Sequence, residues 1–134
     1  MRYDPNSDID PEAWEELDDS GKAAIVTEYH RKHGFHVPNP TVHAIIHVVV
    51  ENQIALGDEF PAEAVLQRLM QEGLDRHDAV HAIGSIVADH IFRALREPGS
   101  KEDLNTVYVE KLSLLTAESW RKQFPGDEPQ DPDR

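Results

Sequence analysis

The segment from Pro40 to Leu56, PTVHAIIHVVVENQIAL, constrains the fold more than any other part of the chain. Read at helical spacing it is apolar around nearly its whole circumference, and such a helix is stable in water only when neighbours cover every side. Other helices must therefore surround it, and 134 residues can supply them within one domain. The β-branched run Val48, Val49, Val50 lies inside this longer helical pattern, and no segment shows strand alternation. An all-α fold follows.

Proline and glycine divide the rest of the chain at positions where they start and stop helices. Pro11 begins a short helical segment through Leu17, and a second runs from about Asp19 to His33, where Gly34 supplies a left-handed stop. Asn39 is a side-chain cap ahead of Pro40, and Gly57 ends the central helix. Pro61 opens a helix in which Ala62, Val65, Leu66, Leu69 and Met70 share one face, ending before Gly73. Asp75 caps a helix to about Arg96 with Val80, Ile83, Val87, Ile91 and Ala94 on one stripe, and a last helix spans roughly Asp103 to Phe124. The expected architecture is a single-domain bundle of about five helices over residues 11–124. Residues 1–10 and the acidic, Pro-rich residues 125–134 are expected to be mobile ends.

Charge narrows the function. With 13 Lys and Arg against 26 Asp and Glu, the net charge of -13 repels phosphate backbones and anionic lipid headgroups, so neither nucleic acid nor a membrane is an expected partner. A protein partner or a homodimer is compatible with the pattern. The chain has no cysteine, hence no disulfide framework, thiol nucleophile or zinc-thiolate site. Its leading residues lack a basic stretch followed by an apolar one, and no run is long and apolar enough to span a bilayer, so the expected location is cytoplasmic. No Gly-rich phosphate loop or Gly-x-Ser-x-Gly elbow occurs, which gives no sign of a nucleotide or organic cofactor.

The remaining chemistry lies in histidine. His43 and His47, and again His77 and His81, are four residues apart, a spacing that stacks two imidazoles on one helix face with Cβ atoms about 6 Å apart. One helix can thus offer two nitrogen ligands to a single cation. Both pairs lie in the opening turns of their helices. In an up-and-down bundle, helices separated by one intervening helix run parallel, which would bring these openings to the same end. Four facing imidazoles would suit a divalent ion such as zinc or iron, with His43, His47, His77 and His81 as ligands. The nearby Glu51, Asp78 and His30 are auxiliary groups. If one coordination position stays open, metal-assisted hydrolysis becomes possible, with Glu51 as the candidate general base. His90 points away from His81, and His33 and His36 flank a loop and are expected to face solvent.

A second reading stays open beside this one. The histidines can instead form a metal-free polar network with Glu51, Gln53 and Asp78 in an acidic module that binds a basic partner protein. Neither pair carries the Glu of a His-Glu-x-x-His motif, so spacing alone does not decide between them.

Several segments also share an order: Asp10-Pro11-Glu12-x-Trp14, Tyr29-His30-Arg31, Asn39-Pro40-x-x-His43-x-x-x-His47-x-x-x-Glu51-Asn52-Gln53, and Gly73-Leu74-Asp75-Arg76-His77-x-x-x-His81-Ala82-Ile83-Gly84. Together they resemble an uncharacterised bacterial family of small helical proteins with paired His-x-x-x-His motifs, the domain of unknown function 1841 type, over roughly residues 10–96. The resemblance implies that the paired histidines and Asn52-Gln53 belong to the family's pattern. It brings no established activity, and the chain after Pro98 lies outside it.

Overall fold

The computed structural model describes residues 1–34, 39–99 and 103–123. Among them it has seven α-helices and no strand: α1 (Pro11–Glu15), α2 (Asp19–Lys32), α3 (Pro40–Ala55), α4 (Ala62–Gln71), α5 (Arg76–Arg96), α6 (Leu104–Leu114) and α7 (Ala117–Gln123). Asn39 caps α3 by accepting from the Val42 N–H at 3.2 Å, and Asp75 caps α5 by accepting from Asp78 N–H at 2.7 Å. Gly57 (φ 59) and Gly73 (φ 110) adopt the left-handed backbone that turns the chain out of α3 and α4.

The sequence reads as six helical segments under an expected count of about five, and the number reaches seven because the single helix read from Asp103 to Phe124 is broken. Leu115 is extended (ψ 131), and its side chain is buried there. Thr116 and Ser119 then exchange bonds: Ser119 N–H donates to Thr116 Oγ1 at 2.9 Å, and Thr116 N–H donates to Ser119 Oγ at 3.0 Å. That reciprocal pair is a helix start, which apolar periodicity alone passes over. Phe124 and the tail 125–134 lie outside the described residues.

Helix α3 occupies the centre and separates two cores. On one side Ala44 and Val48 pack with Val26 of α2, Trp14 of α1 and Tyr3. On the other, Val50 joins a larger core with Leu66 and Leu69 of α4, Ile83 and Val87 of α5, Leu112 of α6 and Trp120 of α7. Asn52 and Gln53, at the end of α3, fasten these layers. Asn52 Oδ1 accepts from Trp14 Nε1 (2.8 Å) and from the buried Lys22 Nζ (3.0 Å), while Gln53 Oε1 accepts from Tyr108 Oη at 2.6 Å.

Three expectations require correction. The apolar stripe of α5 leaves the core after Val87, since Ile91 and Ala94 are exposed. With 21 residues, α5 is about 31 Å long and outruns the 16-residue α3 and 10-residue α4 that cover it. The leading segment is not a loose end: Tyr3 is 5% exposed, Pro5 is buried, and the Pro5 carbonyl accepts from Arg76 at 2.9 Å. Finally, α3 and α5 are not parallel. Their contacts run in opposite order, Glu51 beside Arg76, His47 beside His77 and His81, and Ile46 beside Gly84. The short α4 does not return the chain to the start of α3, so α5 begins beside the last turns of α3 and runs back along it.

Candidate metal centre

Residues 43, 47 and 51 form one stripe of α3, and this polar stripe falls at the seam between the two cores. Helix α5 brings His77 and His81 against it, and the last turns of α2 bring His30. The approach of α3 to α5 is close because Gly84 has no side chain: a Cβ there would lie 2.9 Å from Ile46 Cγ2. The antiparallel crossing therefore does what a parallel one was expected to do.

Five imidazoles meet at this point. Ring centroids are 4.7 Å apart for His43 and His47, 4.6 Å for His77 and His81, 5.1 Å for His47 and His81, and 5.0 Å for His30 and His47. Among the described residues, His30, His47, His77 and His81 each offer one ring nitrogen, and these four atoms lie within 4.8 Å of one another. They could hold a metal ion. His43 is the fifth ring, with its Nε2 at 3.1 Å from the Nε2 of both His30 and His47.

Outer hydrogen bonds set the tautomers. His30 Nδ1 is 2.8 Å from the Val26 carbonyl, which can only accept, so Nδ1 carries the hydrogen and a neutral ring presents a lone pair at Nε2. Tyr3 Oη donates to Glu51 at 2.7 Å and is 2.9 Å from His47 Nδ1. With its hydrogen directed to the carboxylate, the phenol oxygen accepts from His47 Nδ1–H, and His47 also presents Nε2 as a lone pair. The inward Nε2 contacts are His30 to His43, His43 to His47, and His47 to His81 at 3.2 Å. With lone pairs on His30 and His47, only His43 and His81 can bring hydrogens to these three contacts, one each. A cation at metal–nitrogen distances of about 2.0–2.1 Å places tetrahedral nitrogens about 3.3 Å apart; His47 and His81 already stand at 3.2 Å, while the four atoms as a group lie within 4.8 Å and would draw inward on an ion.

Around the rings lies a buried charged layer. Arg76 holds Glu51 through two bonds, at 2.8 and 2.9 Å, and both residues are at most 3% exposed. Burial pushes the Arg76 pKa down, yet the bonded Glu51 carboxylate, helped by Tyr3 and Asp8, carries it above the ordinary arginine value. The Arg76 guanidinium therefore stays charged. Asn6 accepts from the His77 N–H at 3.0 Å, so the leading segment closes over the start of α5. Tyr29 adds an aromatic edge, with its ring centroid 5.6 Å from that of His77 and 6.0 Å from that of Tyr3.

Each residue singled out from sequence can now be placed. His43, His47, His77 and His81 come together, and His30, read only as auxiliary, joins His47, His77 and His81 in the group whose ring nitrogens lie within 4.8 Å of one another. Glu51 is correctly placed in the row but is engaged by Arg76 and Tyr3, which removes it as a general base. Asp78 is buried but is not among the clustered ligand atoms. His90 is apart from the cluster and 5.0 Å from the Tyr108 ring, His33 is exposed, and His36 lies outside the described residues. Tyr3 and Asn6 were missed, and Tyr29 and Arg76 stood only in the segments that carry the resemblance, with no role assigned. The signal for Tyr3 was an aromatic residue inside an otherwise polar stretch; Arg76 was marked only by adjacency to His77.

Residues 8–114 match the family described as Domain of unknown function (DUF1841). No curated protein and no solved structure matches the chain. Among the described residues, no helix is long and apolar enough to cross a membrane.

Proposed function

We propose, from the premise that the chain belongs to the Domain of unknown function (DUF1841) family, that it is a helical module binding one divalent transition-metal ion through its clustered imidazoles. The observation that carries this reading is the pair of tautomers imposed from outside. Val26 and the Tyr3–Glu51 pair turn the lone pairs of His30 and His47 toward a common centre. Nitrogen-only donors favour zinc, iron, nickel or copper over calcium or magnesium, and zinc or iron is the assignment made here. His30, His47, His77 and His81 are the first ligands, with His43 able to complete or exchange into the shell.

Glu51 has a positioning role: it fixes Tyr3, and Tyr3 fixes His47. Where a coordination position stays open, the bound ion would acidify a water and support hydrolysis. The competing reading is the metal-free interaction module, in which the same contacts serve only as a polar network. Elemental analysis of untagged protein, with thermal melts before and after chelator, separates the two. One equivalent of metal per chain and a melt lowered by chelator support metal binding. Substoichiometric metal and an unchanged melt support the network. The paired change His47→Ala and His81→Ala should abolish metal uptake with helicity retained.

A further inference from the structure

Beside the imidazole cluster, α3 and α5 enclose a cavity of about 290 Å³, partly open to solvent. Its inner end is formed by His43, His47 and His81, and its walls by Val42, Ile46, Val80 and Ala88. Among the described residues that line it, none is Asp, Glu, Lys or Arg, although the chain is 29% charged. His43 and His81 are also the two half-buried members of the cluster, whereas His30, His47 and His77 are buried. An ion held by the cluster would therefore be approachable from this cavity.

We infer that this cavity is a ligand pocket for a small monoanion, with one head group directed at the metal and a compact aliphatic body against the apolar walls. The inference rests on the metal-binding reading above and deepens it by naming the class of molecule. The size follows from the volume: at about 30 Å³ for each water-sized group, the cavity takes up to about ten non-hydrogen atoms. Charge sets the rest. A single negative charge is matched by the divalent ion. A second one finds no Lys or Arg among the described lining residues to neutralise it. Hydroxyl-rich molecules fit poorly for a related reason: the polar side chains of Asn39 and Ser85 already bond the Val42 N–H and the Ala82 carbonyl, and Val42, Ile46, Val80 and Ala88 have no side-chain hydrogen-bonding atoms to offer.

Protein loaded with Co(II) provides the test, because cobalt's visible spectrum responds to a new ligand. Acetate, butyrate and succinate are titrated in turn, with metal content measured on the same samples. Butyrate should perturb the spectrum at a concentration about tenfold below acetate, since two further methylenes are buried, and should also bind more tightly than succinate. Ala88→Leu fills the wall away from the ligand nitrogens and should weaken butyrate at least tenfold with cobalt content unchanged. Val42→Asp sets a like charge at the half-exposed mouth and should do the same even if the larger side chain at 88 disturbs packing. Cobalt bound at one equivalent with no preference among the three acids, or with butyrate binding untouched by both variants, overturns the pocket and leaves metal binding standing. Failure to bind cobalt overturns both.

Discussion

Replacing Gly84 by alanine tests whether the close approach of α3 and α5 creates the site. The added Cβ would sit 2.9 Å from Ile46 Cγ2, whereas carbon atoms rest at about 3.5–4.0 Å, so the helices must separate by roughly 0.6–1.1 Å. The neighbour cannot easily rotate aside, because a β-branched side chain in a helix has one strongly preferred χ1. Overpacking of this kind typically destabilises by about 1–3 kcal/mol, and the better helix propensity of alanine offsets about 1 kcal/mol. The expected net loss is about 1 kcal/mol in metal-free protein. Metal affinity should fall further, by at least about tenfold, because the same displacement pulls His81 away from His43 and His47. Urea unfolding of the apoprotein and competition with a chelator measure the two effects separately. Adding Ile46→Ala removes the opposing methyl, and in that background Gly84→Ala should become neutral or stabilising, a coupling that a double-mutant cycle isolates. If Gly84→Ala alone gains about 1 kcal/mol and binds metal as the parent does, the helix contact does not govern the site and the reasoning fails.

Other perturbations probe the surrounding layer. Tyr3→Phe deletes the group shared by His47 and Glu51; it should cost about 1–3 kcal/mol in urea unfolding and lower metal affinity about 10–100-fold, and unchanged affinity would remove Tyr3 from its positioning role. Glu51→Ala strands the buried Arg76 cation and should cost about 3–5 kcal/mol, much of it recovered when Arg76→Met is added. Burial pushes the Tyr108 phenol up to about 12 despite its bond to Gln53, so absorbance titration should show one tyrosine ionising late. The neutral phenol is favoured in the folded state, so its contribution to stability is complete below the unfolded value near 10 and is lost as pH rises toward 12. The carboxylates of Glu72, bonded to the Ala117 N–H and Arg68, and of Asp103, bonded to Thr106, lie below their ordinary range. Their contribution should be present above the unfolded carboxylate pKa and disappear as pH falls through the lower folded value, a loss that Glu72→Gln should reduce in acid melts.

Much of the fold was legible because its signals are local. Asn39 and Asp75 announced the starts of the two histidine helices, and the apolar circumference of residues 40–56 announced a central element. The histidine pairs were legible from spacing, since four residues on a helix leave little freedom of direction. What escaped depends on contacts distant in sequence. Tyr3 reaches His47 and Glu51 across more than forty residues, and nothing in the polar stretch around it specifies that docking. The antiparallel run of α3 and α5 depends on where the short α4 packs, which periodicity does not encode. His30 was legible only as an auxiliary group, because the packing of α2 on α3 that brings it beside His47 is not encoded in its own helix. The break after Leu114 was written in Thr116 and Ser119, a weaker capping signal than Pro or Gly.

X-ray absorption fine structure of the metal-loaded protein addresses the central claim most directly, because outer-ring scattering identifies and counts imidazoles around the ion. The predicted result is a shell of at least three imidazole nitrogens near 2.0–2.1 Å, losing one of them when His30→Ala is combined with His43→Ala, which leaves no fifth ring to replace it. A shell dominated by oxygen, or one that the double change His30→Ala and His43→Ala leaves unaltered, would contradict the centre described here.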